Sequence, residues 1–302
     1  MRQLVLLSGK GGTGKTSITA AIAHLASVQA SAVLADADVD GANLELVLDP
    51  RLTESHPFMG GQVAVIDPLR CSQCGLCEGV CRFSAVLSAA DGYRVDPSAC
   101  EGCAACVYQC PDDAIQMVPQ QAGLWFRSET RFGPLLHARL FAGRENSGKL
   151  VTAVREQSRR VSLETGRNLV IIDGPPGIGC PTIAASTGVD LALLVAEPTA
   201  SGIHDLRRTL AMVEHFRVPA LVLVNKADIN PRQASVIAAF CRERGLDLAG
   251  EIPYDTVVTR AMVSGQPVTM QEPEGVVSAA LHAVWEKVRD RLASAAPAGM
   301  GE

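Results

Sequence analysis

The stretch Gly9-Lys10-Gly11-Gly12-Thr13-Gly14-Lys15-Thr16 decides the fold of this chain. It follows the apolar run Leu4–Leu7, which reads as a strand, and it has the spacing of a phosphate-binding loop that opens a helix. Glycines let backbone N–H groups turn inward around phosphate oxygens without obstruction by a Cβ atom, at the positive end of the helix. Lys15 is then expected to reach the β- and γ-phosphates, and Thr16 to bind Mg²⁺.

Apolar runs of strand length recur along the chain and alternate with helical stretches. A parallel sheet with helices on both faces produces this alternation. The sequence therefore predicts an α/β fold with a doubly wound, mostly parallel sheet. The predicted strands are Leu4–Leu7, Ser31–Ala35, Leu169–Ile172, Leu191–Ala196 and Leu221–Val224.

Eight of the ten cysteines form a double run, each half with the spacing C-x2-C-x2-C-x3-C. Proline follows the second half as Pro111, whereas Arg82 follows the first. This is the pattern of a bacterial ferredoxin with two [4Fe–4S] clusters, in which the fourth cysteine of each run ligates the other cluster. The expected ligand sets are Cys71, Cys74, Cys77 and Cys110 for one cluster, and Cys100, Cys103, Cys106 and Cys81 for the other.

The cysteine runs belong to an internal repeat with a period of 29 residues, which implies two half-domains. We expect residues 61–119 to form an inserted, small α+β domain of ferredoxin type. Residues 1–60 and 120–302 are expected to form the surrounding nucleotide-binding domain. Zinc bound by the CxxC pairs is the alternative for the cysteines, but the double run favours the clusters.

Composition limits the classes of function. The chain has 302 residues, 47% of them hydrophobic, which suffices for one large core and a small satellite domain. The net charge is −5, and there is neither an apolar run of membrane-spanning length nor a basic stripe. Neither a membrane nor a nucleic acid is therefore an expected partner. Because no signal peptide precedes the first predicted strand, a reducing cytoplasm is the expected compartment.

Lys10 makes the loop resemble the deviant phosphate loop of the MinD/ParA/nitrogenase iron protein group. Asp36–Leu44 is similar to the switch I segment of that group, and Ile172–Gly177 is similar to its switch II segment. With its inserted cysteine block, the chain resembles the MinD-superfamily ATPases that carry a ferredoxin domain. The resemblance implies an ATP-dependent dimer, either a homodimer or a heterodimer with a related ATPase.

The resemblance also implies individual roles. Lys10 would cross a dimer interface to the phosphates bound by the other subunit, as an arginine finger does in other NTPases. Either Asp38 or Asp40 would position the attacking water, because members of the group place this aspartate differently. The implied catalytic residues are Lys10, Lys15, Asp38 and Asp40, and those that support Mg²⁺ are Thr16, Asp36 and Asp173.

Recognition of the base is ambiguous in the sequence. Asn225-Lys226-Ala227-Asp228 is similar to the guanine-reading motif of GTPases, but in the MinD group the same asparagine reads adenine. Glu251–Asp255 is similar to the loop that closes over the base, and the Lys10-type loop favours ATP over GTP. The implied nucleotide-contacting residues are Gly9, Lys10, Gly11, Gly12, Thr13, Gly14, Lys15, Thr16, Ser17, Asn225 and Asp255.

Two further features invite a functional interpretation. Gly143–Leu150 nearly matches a second phosphate loop, but it lacks the final Ser/Thr and follows a segment predicted to be helical. We expect no phosphate there. Cys180 lies seven residues after Asp173, where the nitrogenase iron protein has a cluster ligand. The alternative for Cys180 is a small buried hydrophobe.

Two functions compete at this point. The first is ATP-gated electron transfer through two [4Fe–4S] clusters to a redox protein partner. The second is assembly or delivery of an Fe–S or other metal cofactor to a metalloprotein, as in Mrp-type relatives. The insert leaves the chain shortly after switch I, so a phosphate-sensing loop and a redox domain share a short tether. This arrangement favours electron transfer.

Overall fold

A computed structural model describes residues 1–143 and 146–294. Arg144 and Glu145, which belong to the near match at Gly143–Leu150, and the tail after Ser294 lie outside the described residues. The strands are β1 (Arg2–Ser8), β2 (Ala32–Asp36), β3 (Arg51–Ile66), β4 (Val86–Ala89), β5 (Gly92–Val95), β6 (Ile115–Thr130), β7 (Gly133–Leu140), β8 (Leu169–Pro176), β9 (Leu191–Ala196), β10 (Ala220–Asn225) and β11 (Asp247–Ile252). The α-helices are α1 (Lys15–Gln29), α2 (Leu44–Leu48), α3 (Leu76–Val80), α4 (Ala105–Gln109), α5 (Ser147–Glu164), α6 (Cys180–Ser186), α7 (Ala200–His215), α8 (Pro231–Glu243), α9 (Thr256–Val263), α10 (Val268–Gln271) and α11 (Val276–Ser294).

Nine strands form one sheet in the order β11-β10-β9-β1-β8-β2-β7-β6-β3. From β11 to β7 each strand runs parallel to its neighbours. All five predicted strands are present, as β1, β2, β8, β9 and β10. The predicted α/β class with a mostly parallel sheet is therefore confirmed.

The centre of the sheet is buried on both faces. Leu4–Leu7 of β1 are all 0% exposed, which requires helices on both sides of the strand. Leu4 and Leu6 belong to a core that also holds Ile22 of α1 and Trp285 of α11. Burying a side chain of this size contributes about 1.5–3 kcal/mol, so this core fixes the strand ends that carry the site.

The sequence did not predict the strands β7, β6 and β3, which form the edge of the sheet beyond β2. β3 and β6 are each 16 residues long, and β7 precedes Gly143–Leu150. The prediction that a helical segment precedes Gly143–Leu150 is therefore wrong. Leucine, alanine and arginine in Gly133–Leu140 favour a helix by propensity, but pairing with β2 and β6 overrides that preference.

The chain forms two compact units. The first comprises Met1–Ser55, Trp125–Arg139 and the described residues from Ser147 onward. The second comprises His56–Leu124 with Leu140–Gly143 and Asn146. The predicted insert, residues 61–119, lies within the second unit, which is wider because β3 and β6 extend beyond the cysteine pattern. None of the helices in residues 1–143 and 146–294 combines the length and the apolar composition needed to cross a bilayer.

The second unit contains two copies of one backbone pattern, as the period of 29 residues predicts. The five-residue helices α3 and α4 start and end at equivalent positions. Left-handed backbone conformations at Gln73, Gly75 and Ser84 recur at Gly102, Ala104 and Asp113. Glycine replaces glutamine in the second copy because a Cβ on Gly102 would lie 2.6 Å from the carbonyl oxygen of Gln62.

Candidate nucleotide and cluster sites

The predicted phosphate loop joins β1 to α1 and lines a cavity of about 520 Å³. Gly14 caps α1 with φ 85°, and a Cβ there would collide with the side-chain amide of Asn225. Asn225 Nδ2 donates to the carbonyl oxygen of Thr13 at 2.7 Å. The hydroxyl of Thr13 is buried and has no hydrogen-bond partner among the described residues. An unpartnered buried hydroxyl suits a cavity that receives a polar ligand such as a phosphate.

The cavity lining combines the loop with segments predicted to contact the base. Gly11–Ser17 line the cavity, and so do Asn225 and Asp255. Gly9 and Lys10 lie outside the lining. The remaining polar lining residues are Ser8, Asp38, Asn43, Lys226, Tyr254 and Thr259, and the apolar ones include Ile18, Leu46, Val258 and Met262.

Lys15 and Thr16 both contact the switch II aspartate. Lys15 Nζ lies 2.7 Å from Asp173 Oδ1, and Thr16 Oγ1 donates to Asp173 Oδ2 at 2.7 Å. Thr19 Oγ1 donates to the same carboxylate at 2.9 Å. Lys15 is 6% and Asp173 1% exposed, so this is a buried ion pair in which both carboxylate oxygens accept hydrogen bonds. The chain thus brings together the three residue types that cradle Mg²⁺ and phosphate in P-loop proteins.

Asp36 lies at the carboxyl end of β2, opposite Asp173 on the parallel neighbour β8. Burial, reinforced by the charge of Asp173, raises the pKa of Asp36 to about 8. Its carboxylate accepts hydrogen bonds from the backbone N–H groups of Asp38, Asn43 and Leu44 at 3.0–3.1 Å. Asp36 therefore anchors both ends of the stretch Asp38–Leu44, which belongs to the segment similar to switch I.

The two candidates for positioning water differ in location. Asp38 is half-buried and lines the cavity, and burial raises its pKa to about 6 although the charge of Lys15 opposes the rise. Asp40 is exposed and lies outside the lining. This difference in location favours Asp38 over Asp40 as the residue that positions the attacking water.

The motif Asn225-Lys226-Ala227-Asp228 holds other backbone segments together. Besides the bond from Asn225, Lys226 Nζ donates to the carbonyl oxygen of Gly12 at 3.1 Å. Asp228 Oδ1 accepts a 2.6 Å hydrogen bond from the backbone N–H of Tyr254. These residues thus contact both the phosphate loop and the segment Glu251–Asp255. The role of Asn225 in reading adenine stays a prediction.

The four cysteines expected to hold the second cluster lie together. Cys81 lines one small cavity with Cys100, Cys103 and Cys106, although it belongs to the other half of the repeat. Cys106 is buried, which raises the pKa of its thiol, and the nearby Cys100 adds to the rise. Among the described residues, no three His, Cys, Asp or Glu side chains converge as they would on a single metal ion. A [4Fe–4S] cluster instead distributes its four thiolates over its irons.

The fourth cysteine of each run accepts a hydrogen bond from a backbone N–H. Ala85 N donates to Cys81 Sγ at 3.3 Å, and Ala114 N donates to Cys110 Sγ at 3.3 Å. The backbone hydrogen bonds lower the pKa of the Cys81 thiol against the opposing effect of burial. Such bonds stabilise a thiolate, the form in which cysteine ligates iron.

Cys180 begins α6 and is exposed, so the alternative of a buried hydrophobe is wrong. The Cβ of Cys180 lies close to Gly148 at the start of α5. Cys241 in α8 is the buried cysteine outside the double run.

The comparisons with known proteins fit this geometry. Residues 4–268 match the model of the CobQ/CobB/MinD/ParA nucleotide binding domain. The chain belongs to this family. It is 32% identical over 228 residues to the uncharacterized protein MJ0578 of Methanocaldococcus jannaschii, a match that covers 76% of this chain and 79% of that protein.

Solved structures show the same fold for this ATPase. One of them is the septum site-determining protein MinD of Pyrococcus horikoshii complexed with Mg-ADP. The superposition covers 97% of each chain, with a TM-score of 0.60 and 18% sequence identity. A shorter match, 26% identical over 142 residues, is to the cytosolic Fe–S cluster assembly factor Nubp1 homolog of Drosophila grimshawi. It covers 40% of this chain and 45% of that protein. The family match and the shared fold together identify the protein as a P-loop ATPase of the MinD superfamily.

Lys10 of this ATPase forms an ion pair within its own chain. Its Nζ lies 3.2 Å from Glu197 Oε2, while Lys226 Nζ lies 2.6 Å from Glu197 Oε1. Burial works to raise the pKa of Glu197, but hydrogen bonds from Lys226 and Lys10 outweigh it and leave that pKa below its usual range. Glu197 follows β9, at the sheet edge where the parallel strands end. Glu197 was not among the predicted site residues, although its position directly after the apolar run Leu191–Ala196 could have indicated it.

We expect Glu197→Gln to promote ATP-dependent dimerisation. Removing the charge weakens the pair that holds Lys10 in its own subunit, while Lys226 keeps its bond to Gly12. A partly exposed ion pair contributes about 0.2–1 kcal/mol, so each Lys10 that is released should lower the dimer dissociation constant about 1.4-fold to fivefold. Sedimentation velocity with Mg-ATP measures it. The exposed pair Glu214–Arg244 gives the control Glu214→Gln, and an unchanged or weaker dimer in Glu197→Gln would contradict the expectation.

Proposed function

We propose that this ATPase couples a nucleotide-driven rearrangement to electron transfer through two [4Fe–4S] clusters. The observation that carries the proposal is the grouping of Cys81 with Cys100, Cys103 and Cys106 in one cavity. An interleaved ligand set of this kind is the property of two-cluster ferredoxins, and a pair of independent CxxC zinc sites does not require it.

The cysteines would hold the clusters as thiolates, and the clusters would supply one-electron redox chemistry. The second unit would be the ferredoxin-type insert predicted for residues 61–119. Cys71, Cys74, Cys77 and Cys110 would form the other ligand set. The hydrogen bonds from Ala85 and Ala114 to sulfur support this assignment, because backbone N–H donors tune the potential of a cluster.

The residues of the nucleotide site have separable roles in hydrolysis. Lys15 would bind the phosphates, and Thr16, Asp36 and Asp173 would hold Mg²⁺ directly or through water. Asp38 would orient the attacking water. Its half-buried carboxyl group lines the cavity beside the phosphate loop, where an attacking water would have to bind.

Members of the MinD/ParA family dimerise, and the structural neighbours include a MinC:MinD complex of Aquifex aeolicus. We propose an ATP-dependent homodimer, or a heterodimer with a related ATPase, in a reducing cytoplasm. Its protein partner would be a redox protein that exchanges electrons with the second unit.

Fe–S cluster assembly is the second candidate function. The match to the Nubp1 homolog favours it, although the match covers only 40% of this chain. Against it stands the ligand arrangement, because each cluster would be held by four cysteines of the same chain. Such clusters are poor donors in transfer to another protein.

The first test is the metal content of protein purified without oxygen. We expect about eight iron and eight sulfide per chain, the content of two cubanes. Cys81→Ser should remove about half of both and one of two EPR signals of the reduced protein. Cys241→Ser is the matched control, since Cys241 is buried in the first unit outside the cysteine runs, and it should keep both signals. Stoichiometric zinc without visible absorbance would refute the cluster proposal.

The second test separates electron transfer from assembly. We expect Mg-ATP to shift the reduction potential of at least one cluster while the iron content of the protein stays constant. A shift of about 60 mV corresponds to a tenfold change in ATP affinity between the oxidised and reduced forms. ATP-dependent loss of iron to an apo-ferredoxin, without any shift in potential, would instead support assembly.

A further inference from the structure

Three polar side chains contact one another in series inside the first unit, through one hydrogen bond and one ion-pair contact. His137 Nε2 lies 3.0 Å from Ser128 Oγ, and His137 Nδ1 lies 3.2 Å from Glu45 Oε2. Ser128 is 1% and His137 7% exposed. Neither the phosphate loop nor the cysteine motifs account for this chain of contacts.

The chemistry of the three groups fixes the direction of the hydrogen bonds. A carboxylate only accepts, so the proton on Nδ1 is the one that suits the contact with Glu45. Burial lowers the pKa of His137, although the charge of Glu45 opposes that effect, and the neutral ring then accepts at Nε2 from the Ser128 hydroxyl. Arg139, whose guanidinium lies 3.6 Å from Glu45, is the other charged group facing the carboxylate.

A serine, a histidine and a carboxylate in this order also occur in hydrolases. Ser128 is closed off from solvent, so a substrate cannot reach its hydroxyl. A hydrolytic role is therefore excluded for this arrangement, and its significance lies in the elements that it connects.

One end of the chain is attached to switch I. Glu45 lies in the first turn of α2, directly after Leu44, whose backbone N–H donates to Asp36 Oδ2 at 3.0 Å. Asp36 also accepts from the backbone N–H of Asn43 at 3.1 Å. A change in the bonding of Asp36 must therefore move the start of α2, and Glu45 with it.

The other end is attached to β6, the continuous strand Ile115–Thr130 that follows the second cysteine run. Ser128 belongs to this strand. Phe126, two residues earlier and therefore on the same face, packs on the His137 ring with centroids 5.1 Å apart. β6 thus holds His137 through a hydrogen bond and a ring contact.

We propose that Glu45, His137 and Ser128 form a relay that transmits movement of switch I to strand β6. β6 leads back along the chain to the cysteine runs, so its movement would have a consequence for the clusters. That consequence rests on the function proposed above. His137 is thus a positioning residue: it touches no nucleotide and acts through α2 on one side and β6 on the other.

The relay is tested by hydrogen exchange of the full chain, with and without the non-hydrolysable analogue Mg-AMPPNP. We expect the analogue to change exchange in peptides of β6 in the wild type. Ser128→Ala and His137→Gln should reduce that change by at least half, while protection of the phosphate loop and AMPPNP affinity stay within about twofold. The matched control is Ser158→Ala, which removes another buried hydroxyl, one that donates to the carbonyl oxygen of Val154 in its own helix.

A purely structural role predicts a different pattern. In that case Ser128→Ala and Ser158→Ala lower the melting temperature alike, and the response of β6 to the analogue persists in both; this result overturns the relay. Absence of any response of β6 in the wild type also overturns it. The cluster potential distinguishes the two proposals: if β6 responds and the potential does not, the relay stands and ATP-gated electron transfer fails.

Discussion

Lys15→Ala is expected to weaken Mg-ATP binding about 100-fold. Lys15 lines the cavity together with the rest of the phosphate loop, and charge-assisted hydrogen bonds to phosphate contribute about 1.5–3 kcal/mol. Loss of about 2.7 kcal/mol corresponds to that factor in the dissociation constant. Isothermal titration calorimetry in the presence of Mg²⁺ measures the change directly.

The single variant also breaks the buried pair with Asp173, and removing one partner of such a pair destabilises a protein by about 3–5 kcal/mol. The double variant Lys15→Ala/Asp173→Asn removes the uncompensated charge and should recover most of the melting temperature without recovering affinity. Lys149→Ala, in the near match to a phosphate loop, is the matched control and should bind ATP normally. If folded Lys15→Ala binds ATP within threefold of the wild type, Lys15 is not the phosphate ligand.

Local sequence patterns predicted the fold and several of the residues that line the candidate nucleotide cavity. The glycines and Lys15 lie at fixed spacing between a strand and a helix, so the geometry of the loop follows from about ten consecutive residues. The cysteine runs are equally local, and their repeat reappears in paired left-handed residues such as Gly75 and Ala104. Apolar composition sufficed for the central strands because both faces of the sheet are buried.

Contacts between distant parts of the chain could not be predicted in this way. Glu197 meets Lys10 only because β1 and β9 are neighbours in the sheet. The relay through His137 requires that β7 lie between β2 and β6, and the sequence of β7 favoured a helix. The exposure of Cys180 likewise depends on how α6 begins after switch II, which no local pattern determines.

Lys10→Ala is expected to reduce ATP hydrolysis at least 100-fold while ATP affinity changes less than threefold. Lys10 lies outside the cavity lining and contacts Glu197, so it contributes little to binding in its own subunit. Across a dimer interface its charge would stabilise the transition state as an arginine finger does, an effect of about 10³–10⁵ in rate. Steady-state phosphate release and calorimetry on the same preparation separate the two effects.

The variant Lys10→Gln sharpens this test, because it keeps most of the side chain and a hydrogen-bond donor but removes the charge. Both variants should remain monomeric with Mg-ATP at concentrations that dimerise the wild type, in contrast to Glu197→Gln, which frees the lysine. Mixing Lys10→Ala with the hydrolysis-deficient Asp38→Ala should restore activity in one of the two sites of a mixed dimer if Lys10 acts across the interface. Lack of restoration in a demonstrated mixed dimer would mean that Lys10 acts within its own subunit, and Glu197 would then be part of the assembled site.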